Sequence, residues 1–328
     1  MGLSARSVGR LLLVPTWALV IGLLTIAVAH VVAFDHARVF MLADSYTLWI
    51  YLPAYAIAVA AICFRARTLG ICAAVLIVAH LAWVLPPAFR RVSIPASAWA
   101  APRLRVVSAN LNFDNREHGP LLAELARDDA DVVVLEELTP EWWKAVEASG
   151  LWSSHPYRVG RPRTDPGGMA VLSREPLREV VVHDADGWPI ITAAIVVDGT
   201  TVHLTGVHLL APLDTFNRNQ RQQRAITAII RALPRPRVVA GDFNADPYNR
   251  WYEQILGLGF REAHEAVGRS LATTWPNGQH HLPPLRLDHV FVDPPIVPLR
   301  ATEGRGTGSD HRPIVVDLAI TRSVAAGR

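Results

Sequence analysis

Two short segments of the chain combine acidic, amide and imidazole side chains in patterns that suit hydrolytic chemistry. Gly241-Asp242-Phe243-Asn244 directly follows the apolar residues 238–240, so an aspartate and an asparagine lie two positions apart after a predicted strand. Their oxygens suit a hard cation such as Mg²⁺. Ser309-Asp310-His311 places an imidazole beside a carboxylate, and this histidine could act as a base or contact phosphate. Alone, each segment also fits an ordinary turn, because Gly, Asp and Asn favour turns.

Other polar side chains follow apolar stretches in the same way. Arg286-Leu287-Asp288 supplies a carboxylate that could orient the His311 imidazole. Because the ends of neighbouring strands meet at one edge of a sheet, residues that are far apart in sequence can gather there. The candidates that directly follow an apolar run are Asn110, Glu137, His208, Asp242, Asn244 and Asp310.

The elements that must position these residues are short apolar strands separated by helical segments. Strand-like patterns cover residues 104–111, 131–135, 170–173, 180–183, 190–197, 202–207, 237–240, 290–292 and 313–318. Helical patterns cover residues 119–127, 140–149 and 219–233, the last with isoleucines on one face. Many strands with helices between them predict a layered α/β domain with helices outside the sheets.

The apolar residues, 51% of the chain, are concentrated near the amino terminus. Residues 11–34, 46–64 and 69–85 form apolar runs, each near the length needed to cross a hydrocarbon core of about 30 Å as a helix. Three such runs in succession predict three transmembrane helices. The resulting division of the chain is a membrane region over 1–85, a Pro-rich linker over 86–102, a catalytic domain over 103–320 and a tail over 321–328.

The basic residues around these runs predict an orientation. Arg6 and Arg10 precede the first run, and Arg65 and Arg67 separate the second from the third. The positive-inside tendency places the amino terminus in the cytoplasm, so that three crossings leave the following domain outside. Alternatively, the first run is a signal peptide cleaved near Ala27-Val28-Ala29, which also leaves the domain outside. We therefore predict a multi-pass protein of the cell membrane with an extracytoplasmic domain.

Charge and cysteine content exclude two classes of site. The net charge is only +3, from 32 basic and 29 acidic residues, and no long basic run is present. Because nucleic-acid binders more often carry a basic stripe or patch, no dedicated nucleic-acid surface is expected. Both cysteines, Cys63 and Cys72, lie in the apolar region, so the rest of the chain has no disulfide framework and no thiolate metal site.

Taken in order, these segments resemble the endonuclease/exonuclease/phosphatase superfamily from about residue 103 to about residue 320. The matching phrases are Ser108-Ala109-Asn110, residues 131–137, residues 168–173, Gly206-Val207-His208, the Gly-Asp-Phe-Asn turn, Arg286-Leu287-Asp288 and Ser309-Asp310-His311. The resemblance implies a DNase I-like α/β (α+β) four-layer sandwich, in which two packed mixed β-sheets are flanked by helices. It also implies a metal-dependent phosphoric ester hydrolase, in which water attacks phosphorus directly.

The resemblance assigns metal ligands to this chain. Glu137 would be the principal ligand of Mg²⁺, with Mn²⁺ as an alternative, and Asn110 would assist it. Asp310 would be a second carboxylate on the metal side or would position the neighbouring histidine. The family usually has Gln before its catalytic Glu, whereas this chain has Glu136 there. We assign the metal to Glu137 by register and keep Glu136 as the alternative.

The resemblance also assigns the remaining catalytic roles. Asp242 and Asn244 would position the attacking water and the phosphate. His311, held by Asp288, would be the general base or would stabilise the phosphate. His208 would protonate the leaving oxygen or steady the phosphoryl charge, so His208 and Asn244 are also the expected substrate contacts.

The superfamily hydrolyses DNA, RNA, inositol phosphates and sphingomyelin, so the fold alone does not predict the substrate. The membrane region is the feature from which we predict a substrate class. A site held close to a bilayer favours a lipid-linked phosphate, so the expected partners are the bilayer and a phosphorylated lipid. The architecture is similar to actinobacterial VanJ-type membrane proteins, which are associated with teicoplanin resistance; this implies a polyprenyl phosphate or pyrophosphate of cell-wall synthesis. An extracytoplasmic nuclease and a phospholipase C-like phosphodiesterase remain alternatives, and the oligomeric state stays open.

Two surface features are expected near the site. Trp251, Trp275 and the loop 276–284 with His280 and His281 could contact lipid, or the loop could simply be solvated. Three arginines beside the helix after His208 could contact phosphate or form a solvated face: Arg218, Arg221 and Arg224.

Overall fold

The computed structural model describes residues 5–278 and 282–321, which fall into two compact units. The first unit comprises Met1–Pro86 with Tyr248–Arg250, and the second comprises Pro87–Pro247 with Trp251–Arg328. His280, His281 and all but the first residue of the predicted tail lie outside the described residues. The two units are described separately below.

The first unit is helical. Its helices are α1 (Ala5–Val32), α2 (Arg38–Ser45), α3 (Thr47–Ile50), α4 (Leu52–Cys63) and α5 (Arg67–Val84). Two stretches, Val14–Val32 and Arg67–Phe89, are long and apolar enough to cross a membrane. They coincide with the first and third predicted membrane helices.

The second predicted membrane helix, residues 46–64, is not one straight element. Arg38–Ser45 and Thr47–Cys63 are long and apolar enough to cross a membrane only when they are taken together, and this pair is bent by 74°. Tyr46, at the bend, has a ψ of 18°, which is outside the helical range. Pro53, in the first turn of α4, has no backbone N–H to continue the hydrogen-bonding pattern of α3. Among the described residues, two of the three predicted membrane helices are therefore straight candidate spans, and the third is present only if the bent pair forms one span.

Two histidines of the first unit are buried against its other helices. Nδ1 of His30 lies 2.7 Å from a carboxylate oxygen of Asp44, and Nδ1 of His80 lies 3.0 Å from the Tyr55 hydroxyl. Ionisable groups in apolar surroundings are costly unless they are paired. The pairing explains how these helices accommodate polar residues within an otherwise apolar sequence.

The second unit contains two six-stranded sheets. Its strands are β1 (Arg103–Asn110), β2 (Val132–Glu136), β3 (Tyr157–Arg161), β4 (Met169–Ser173), β5 (Arg178–Ala185), β6 (Trp188–Val197), β7 (Thr200–His208), β8 (Arg237–Asp242), β9 (Arg261–Glu262), β10 (Asp288–Val292), β11 (Ile296–Glu303) and β12 (Ile314–Ile320). The first sheet has the order β11-β12-β1-β2-β4-β3, and the second has the order β5-β6-β7-β8-β10-β9. Both sheets are mixed, because β1 pairs with β2 and β7 with β8 in parallel while their other neighbours are antiparallel.

The remaining helices belong mainly to the second unit. They are α6 (Pro86–Phe89), α7 (Ala96–Trp99), α8 (His118–Arg127), α9 (Pro140–Glu147), α10 (Gly150–Ser154), α11 (Pro212–Ala232), α12 (Arg250–Gly257) and α13 (Ala263–Ala266). One apolar cluster combines residues from both sheets, a second joins the first sheet to α8, α9 and α10, and a third joins the second sheet to α11 and α12. The predicted sandwich of two mixed sheets flanked by helices is confirmed.

Three strands lack a clear signal in the sequence, and all three are edge strands. β3 and β11 end the first sheet, and β9 ends the second. β3 is only partly buried, with arginines at two of its five positions, and β11 contains Pro298. Proline and charge are tolerated at sheet edges, where fewer neighbours demand apolar side chains and backbone donors.

The predicted linker, residues 86–102, contains ordered structure. It includes α6 and α7, and Ala98 packs in a small apolar cluster with Val297 and Leu299 of β11. The backbone N–H of Val92 donates to the carbonyl of Ala266 at 2.9 Å. This segment is therefore held along the second unit.

A buried ionic cluster lies beside β9 and α13. His264 is fully buried, with Nδ1 3.1 Å from Glu262 and Nε2 2.9 Å from Glu303. Burial opposes its charged form, but the two carboxylates raise the pKa of His264 above its ordinary value, while the Arg286 guanidinium acts in the opposite sense. The imidazolium is therefore favoured in the folded protein.

This cluster should make stability depend on pH. Because the pKa of His264 is higher in the folded than in the unfolded chain, its contribution is fully present below about pH 6.5 and is lost as the pH rises through the folded pKa. The melting temperature of the full chain in detergent should therefore fall more between pH 6 and pH 8 than that of His264→Gln. Each 1 kcal/mol corresponds to roughly 2–4 °C in a domain of this size. Equal falls in both proteins would contradict the assignment.

Candidate active site

The candidate residues come together where strand ends of both sheets meet. Asn110 ends β1 and Glu137 follows β2, its parallel neighbour in the first sheet. His208 ends β7 and Asp242 ends β8, which are parallel neighbours in the second sheet. Asp288 begins β10 and lies directly opposite Asp242 in antiparallel register. The topology thus brings both sheets' candidates to one region.

Asn110 connects the two sheets at this site. Its side-chain amide donates to Glu137 at 3.0 Å and to Asp242 at 3.0 Å. Its side-chain oxygen accepts from the backbone N–H of Asn112 at 2.9 Å, and its backbone carbonyl accepts from the Ser309 hydroxyl at 2.7 Å. The amide is therefore fixed in orientation, with one donor for each carboxylate.

Glu136 and Glu137 occupy different environments. Glu136 is fully buried and accepts from the Ser108 hydroxyl at 2.7 Å, and burial raises its pKa well above the ordinary value. Burial therefore favours its neutral form, which has the shape of a glutamine. Glu137 adopts a φ of 56° and accepts from the Phe113 backbone N–H at 2.8 Å, and its side chain keeps 17% of its surface exposed. This geometry favours Glu137 over Glu136 as the accessible ligand.

Asp288 and His311 form a hydrogen-bonded pair. Nδ1 of His311 lies 2.8 Å from Asp288, and its Nε2 lies 3.7 Å from Asp242. Burial opposes the charged imidazole, but Asp288 and Asp242 raise the pKa of His311 well above its ordinary value. The Thr274 hydroxyl, which the sequence did not single out, accepts from the Asp288 backbone N–H at 3.2 Å. His311 is therefore cationic and held in place.

The turn after β8 has a constrained backbone. Gly241 has a φ of 151°, and a Cβ at this position would collide with the Val207 carbonyl oxygen, so only glycine fits. Asn244 has a φ of 44°, and its backbone N–H donates to Asp242 at 2.8 Å. Burial, reinforced by Asp288, raises the pKa of Asp242 to about 6, even though His311 opposes the shift.

His208 lies close to two carboxylates of the site. Its Nε2 is 3.8 Å from Asp242 and 4.0 Å from Glu137. Burial lowers the pKa of His208, so the imidazole is neutral near pH 7. The Trp188 ring, which carries no motif signal in the sequence, packs on it with centroids 4.8 Å apart.

Asp310 is half-buried at the edge of the site. Its carboxylate accepts from the Trp275 indole N–H at 3.3 Å. Burial is the main cause that raises the pKa of Glu137, and the charge of Asp310 adds a smaller contribution in the same direction. Trp275 thus lies beside the site, as expected. Trp251, by contrast, is buried in the core with 1% exposure and cannot contact lipid.

The described arginines near Trp188 are paired with acids. Arg218 and Arg221 both donate to Asp186, at 3.1 and 2.9 Å. Arg163 makes a bidentate pair with Asp165. Arg218 and Arg221 are therefore held in ion pairs, and the expectation that they are available to phosphate is not supported by their geometry.

The donor set suits a metal ion. Within the described residues, one group of acidic and histidine side chains offers ligand atoms within 4.8 Å of one another: Asp242, Asp288 and His311. Asp288 keeps one buried oxygen without a hydrogen-bond partner. Carboxylate oxygens bind hard divalent cations, so Asp242 and Asp288 are the members of this group that could hold one while His311 is charged. The ligands expected from the sequence, Asn110 and Glu137, adjoin this group through the bond from Asn110 to Asp242.

A two-sheet sandwich with buried acidic and histidine side chains at its strand ends defines a metal-dependent phosphoesterase. The family model described as "Endonuclease/Exonuclease/phosphatase family" matches residues 107–311, and the chain belongs to this family. No curated protein matches the chain by sequence.

Solved structures share the fold. D. rerio TDP2, in a crystal structure complexed with single-strand DNA product, is 19% identical over 66% of this chain and 99% of its own, with a TM-score of 0.57. An endonuclease/exonuclease/phosphatase from Beutenbergia cavernae is 19% identical over 69% of this chain and 74% of its own, with a TM-score of 0.55. A family protein from Leptotrichia buccalis is 16% identical over 66% of this chain and all of its own, with a TM-score of 0.53.

The two neighbouring glutamates should respond differently to the same substitution. Glu137→Gln should lower metal-dependent hydrolysis at least roughly 100-fold, because it removes the accessible charged ligand. Glu136→Gln should stay within about fivefold of wild type, because it replaces a neutral acid by a neutral amide and disturbs at most an ordinary hydrogen bond of about 1 kcal/mol. Steady-state rates and Mg²⁺ titration calorimetry would check both. Full activity in Glu137→Gln would refute the assignment.

Proposed function

We propose that the protein is a membrane-anchored, Mg²⁺-dependent phosphoesterase that hydrolyses a lipid-linked phosphate or pyrophosphate outside the cytoplasm. The observation that carries the proposal is the joining of this active site to candidate membrane spans. The last candidate span, Arg67–Phe89, is followed directly in sequence by the segment that packs along β11. A catalytic unit that follows candidate spans in the same chain favours a substrate that resides in or on the bilayer.

The chemistry proposed for the site begins with the carboxylates. A divalent cation held by Glu137 and Asn110, with Asp310 nearby, would neutralise the charge that develops on the phosphoryl oxygens. Asp242 and Asn244 would orient the attacking water. Asp242 is suited to receive the proton of that water, since burial gives it a higher basicity than an exposed carboxylate has.

The two histidines would serve the phosphoryl group differently. His311 is held by Asp288 and is cationic near neutral pH, which favours stabilisation of phosphoryl charge over proton abstraction. His208 is neutral, and its Nε2 faces the carboxylates. It would therefore donate a hydrogen bond to the phosphate or to the leaving oxygen, and Asn244 would be the other substrate contact.

A polyprenyl phosphate or pyrophosphate of cell-wall synthesis is the substrate class that we favour. The similarity of architecture to VanJ-type membrane proteins supports this choice and suggests a link to glycopeptide resistance, including teicoplanin. The ion-paired arginines near Trp188 also support it, because a nucleic-acid groove needs free basic side chains along its length.

A nuclease or a phospholipase C-like phosphodiesterase is the second candidate function. The specific observation in its favour is the fold shared with TDP2, of which one structure holds a single-strand DNA product. The shared fold alone does not transfer the substrate, because one fold serves many phosphoesters.

A side-by-side assay separates these functions. The full chain in detergent with Mg²⁺ should release phosphate from polyprenyl pyrophosphate faster than it cleaves a phospholipid or nicks plasmid DNA. The matched control is Glu137→Gln, which should be inactive on all three, and a chelator should abolish every activity of the wild type. A far higher rate on DNA would overturn the lipid proposal and support the nuclease.

The proposed topology can be tested separately. A phosphatase reporter that folds only outside the cytoplasm, fused after residue 328 of Glu137→Gln, should be active in a bacterial host. The substitution removes the protein's own hydrolysis from the background. A fluorescent reporter that matures only in the cytoplasm should stay dark at the same position, and a bright signal there would contradict the topology.

A further inference from the structure

The segment that delivers Asp288 to the site is anchored by a fully buried arginine. Arg286 has 1% exposure, and its guanidinium lies 3.1 Å from Glu265 and 3.7 Å from Glu262. It also donates to the backbone carbonyls of Arg269 and Ser270, at 3.2 and 3.1 Å. A buried charge with this many partners has little freedom to move.

The same segment is bonded to the catalytic turn. The Arg286 backbone N–H donates to Asp246 at 3.1 Å, and the Phe243 backbone N–H donates to the Leu287 carbonyl at 2.9 Å. Asp288 follows directly and pairs with His311. A shift of Arg286 would therefore move both the turn that carries Asp242 and the aspartate that holds His311.

Glu265 extends this network to the amino-terminal segment of the second unit. Besides Arg286, it accepts from Arg90 at 3.2 Å, and Arg90 also donates to Glu253 at 2.6 Å. Glu265 has 1% exposure, so Arg90 and Arg286 share its buried charge. Arg90 is the residue directly after the candidate span Arg67–Phe89.

We propose that Arg90 is a positioning residue for the phosphoesterase site, acting through Glu265 and Arg286 on the Asp288–His311 pair. The end of the last candidate span would thereby be connected to catalysis. The proposal rests on the phosphoesterase activity of the family and is independent of whether the substrate is a lipid. A merely structural role for Arg90 would lower stability without selectively changing turnover.

Neighbouring residues provide matched controls. Arg91 is exposed, and its side chain lies against Gly268. Arg91→Ala thus removes the same type of side chain from the adjacent position while leaving both arginine partners of Glu265 in place. Arg90→Lys keeps the charge and should restore part of the contact with Glu265. Glu253→Gln removes only the more exposed partner of Arg90.

The kinetic test uses the full chain in detergent with Mg²⁺ and bis(p-nitrophenyl) phosphate as probe. Arg90→Ala should lower kcat by roughly 3- to 30-fold with little change in KM, a range typical of coupling through packed networks. Arg91→Ala and Glu253→Gln should remain close to wild type, and Arg90→Lys should lie between. Combining Arg90→Ala with Glu265→Gln should lower kcat by less than the product of the single effects. Equal rates in Arg90→Ala and Arg91→Ala would overturn the proposal.

A second measurement needs no turnover. Hydrogen–deuterium exchange in Arg90→Ala should be faster than in Arg91→Ala over residues 241–247 and 285–292, while the strands of the first sheet exchange alike. Unchanged exchange in these two segments would overturn the proposal even if the melting temperature fell. If the proposed function is wrong, the wild type will not hydrolyse the probe. The difference in hydrogen–deuterium exchange between Arg90→Ala and Arg91→Ala will then still be present.

Discussion

The site depends on a single side-chain amide that joins the two sheets. Asn110 belongs to the first sheet, and its two N–H groups bind Glu137 of the same sheet and Asp242 of the other. An amide can bridge two carboxylates in this way only if both sheets hold their strand ends in a fixed relation. The apolar cluster that contains residues of both sheets supplies that constraint. The geometry of the site therefore depends on how the two sheets pack together.

Burial and neighbouring charges shift the pKa values of the ionisable groups in the site. Burial favours the neutral form of Glu136, raises the pKa of Asp242 to about 6 and lowers the pKa of His208. For His311 burial acts against the charged form, but the neighbouring carboxylates outweigh it and raise the pKa. Such divergence among adjacent groups is typical of functional sites and is difficult to justify for stability alone.

Much of the sandwich and of the site follows from local sequence. Apolar runs that end in a polar residue predicted β1, β2, β7 and β8. The order of these polar residues along the chain indicated the family. Edge strand β3 was missed because partial exposure weakens its pattern, and β11 was missed because Pro298 interrupts its apolar pattern. Other features arise only on folding: the neutral state of Glu136, the bend at Tyr46 and the pairing of Arg90 with Glu265 depend on residues distant in sequence or on backbone geometry that no local motif records.

The charge pattern around the site bears on how a substrate would reach it. Arg163, Arg218 and Arg221 are paired with nearby acids, and the net charge of the chain is only +3, so long-range attraction of a polyanion is weak. A free substrate would then meet the site by unassisted diffusion. A substrate confined to the same bilayer would meet it at a raised effective concentration without any steering field. The proposed membrane attachment and the charge-balanced surface would therefore favour the same substrate class for independent physical reasons.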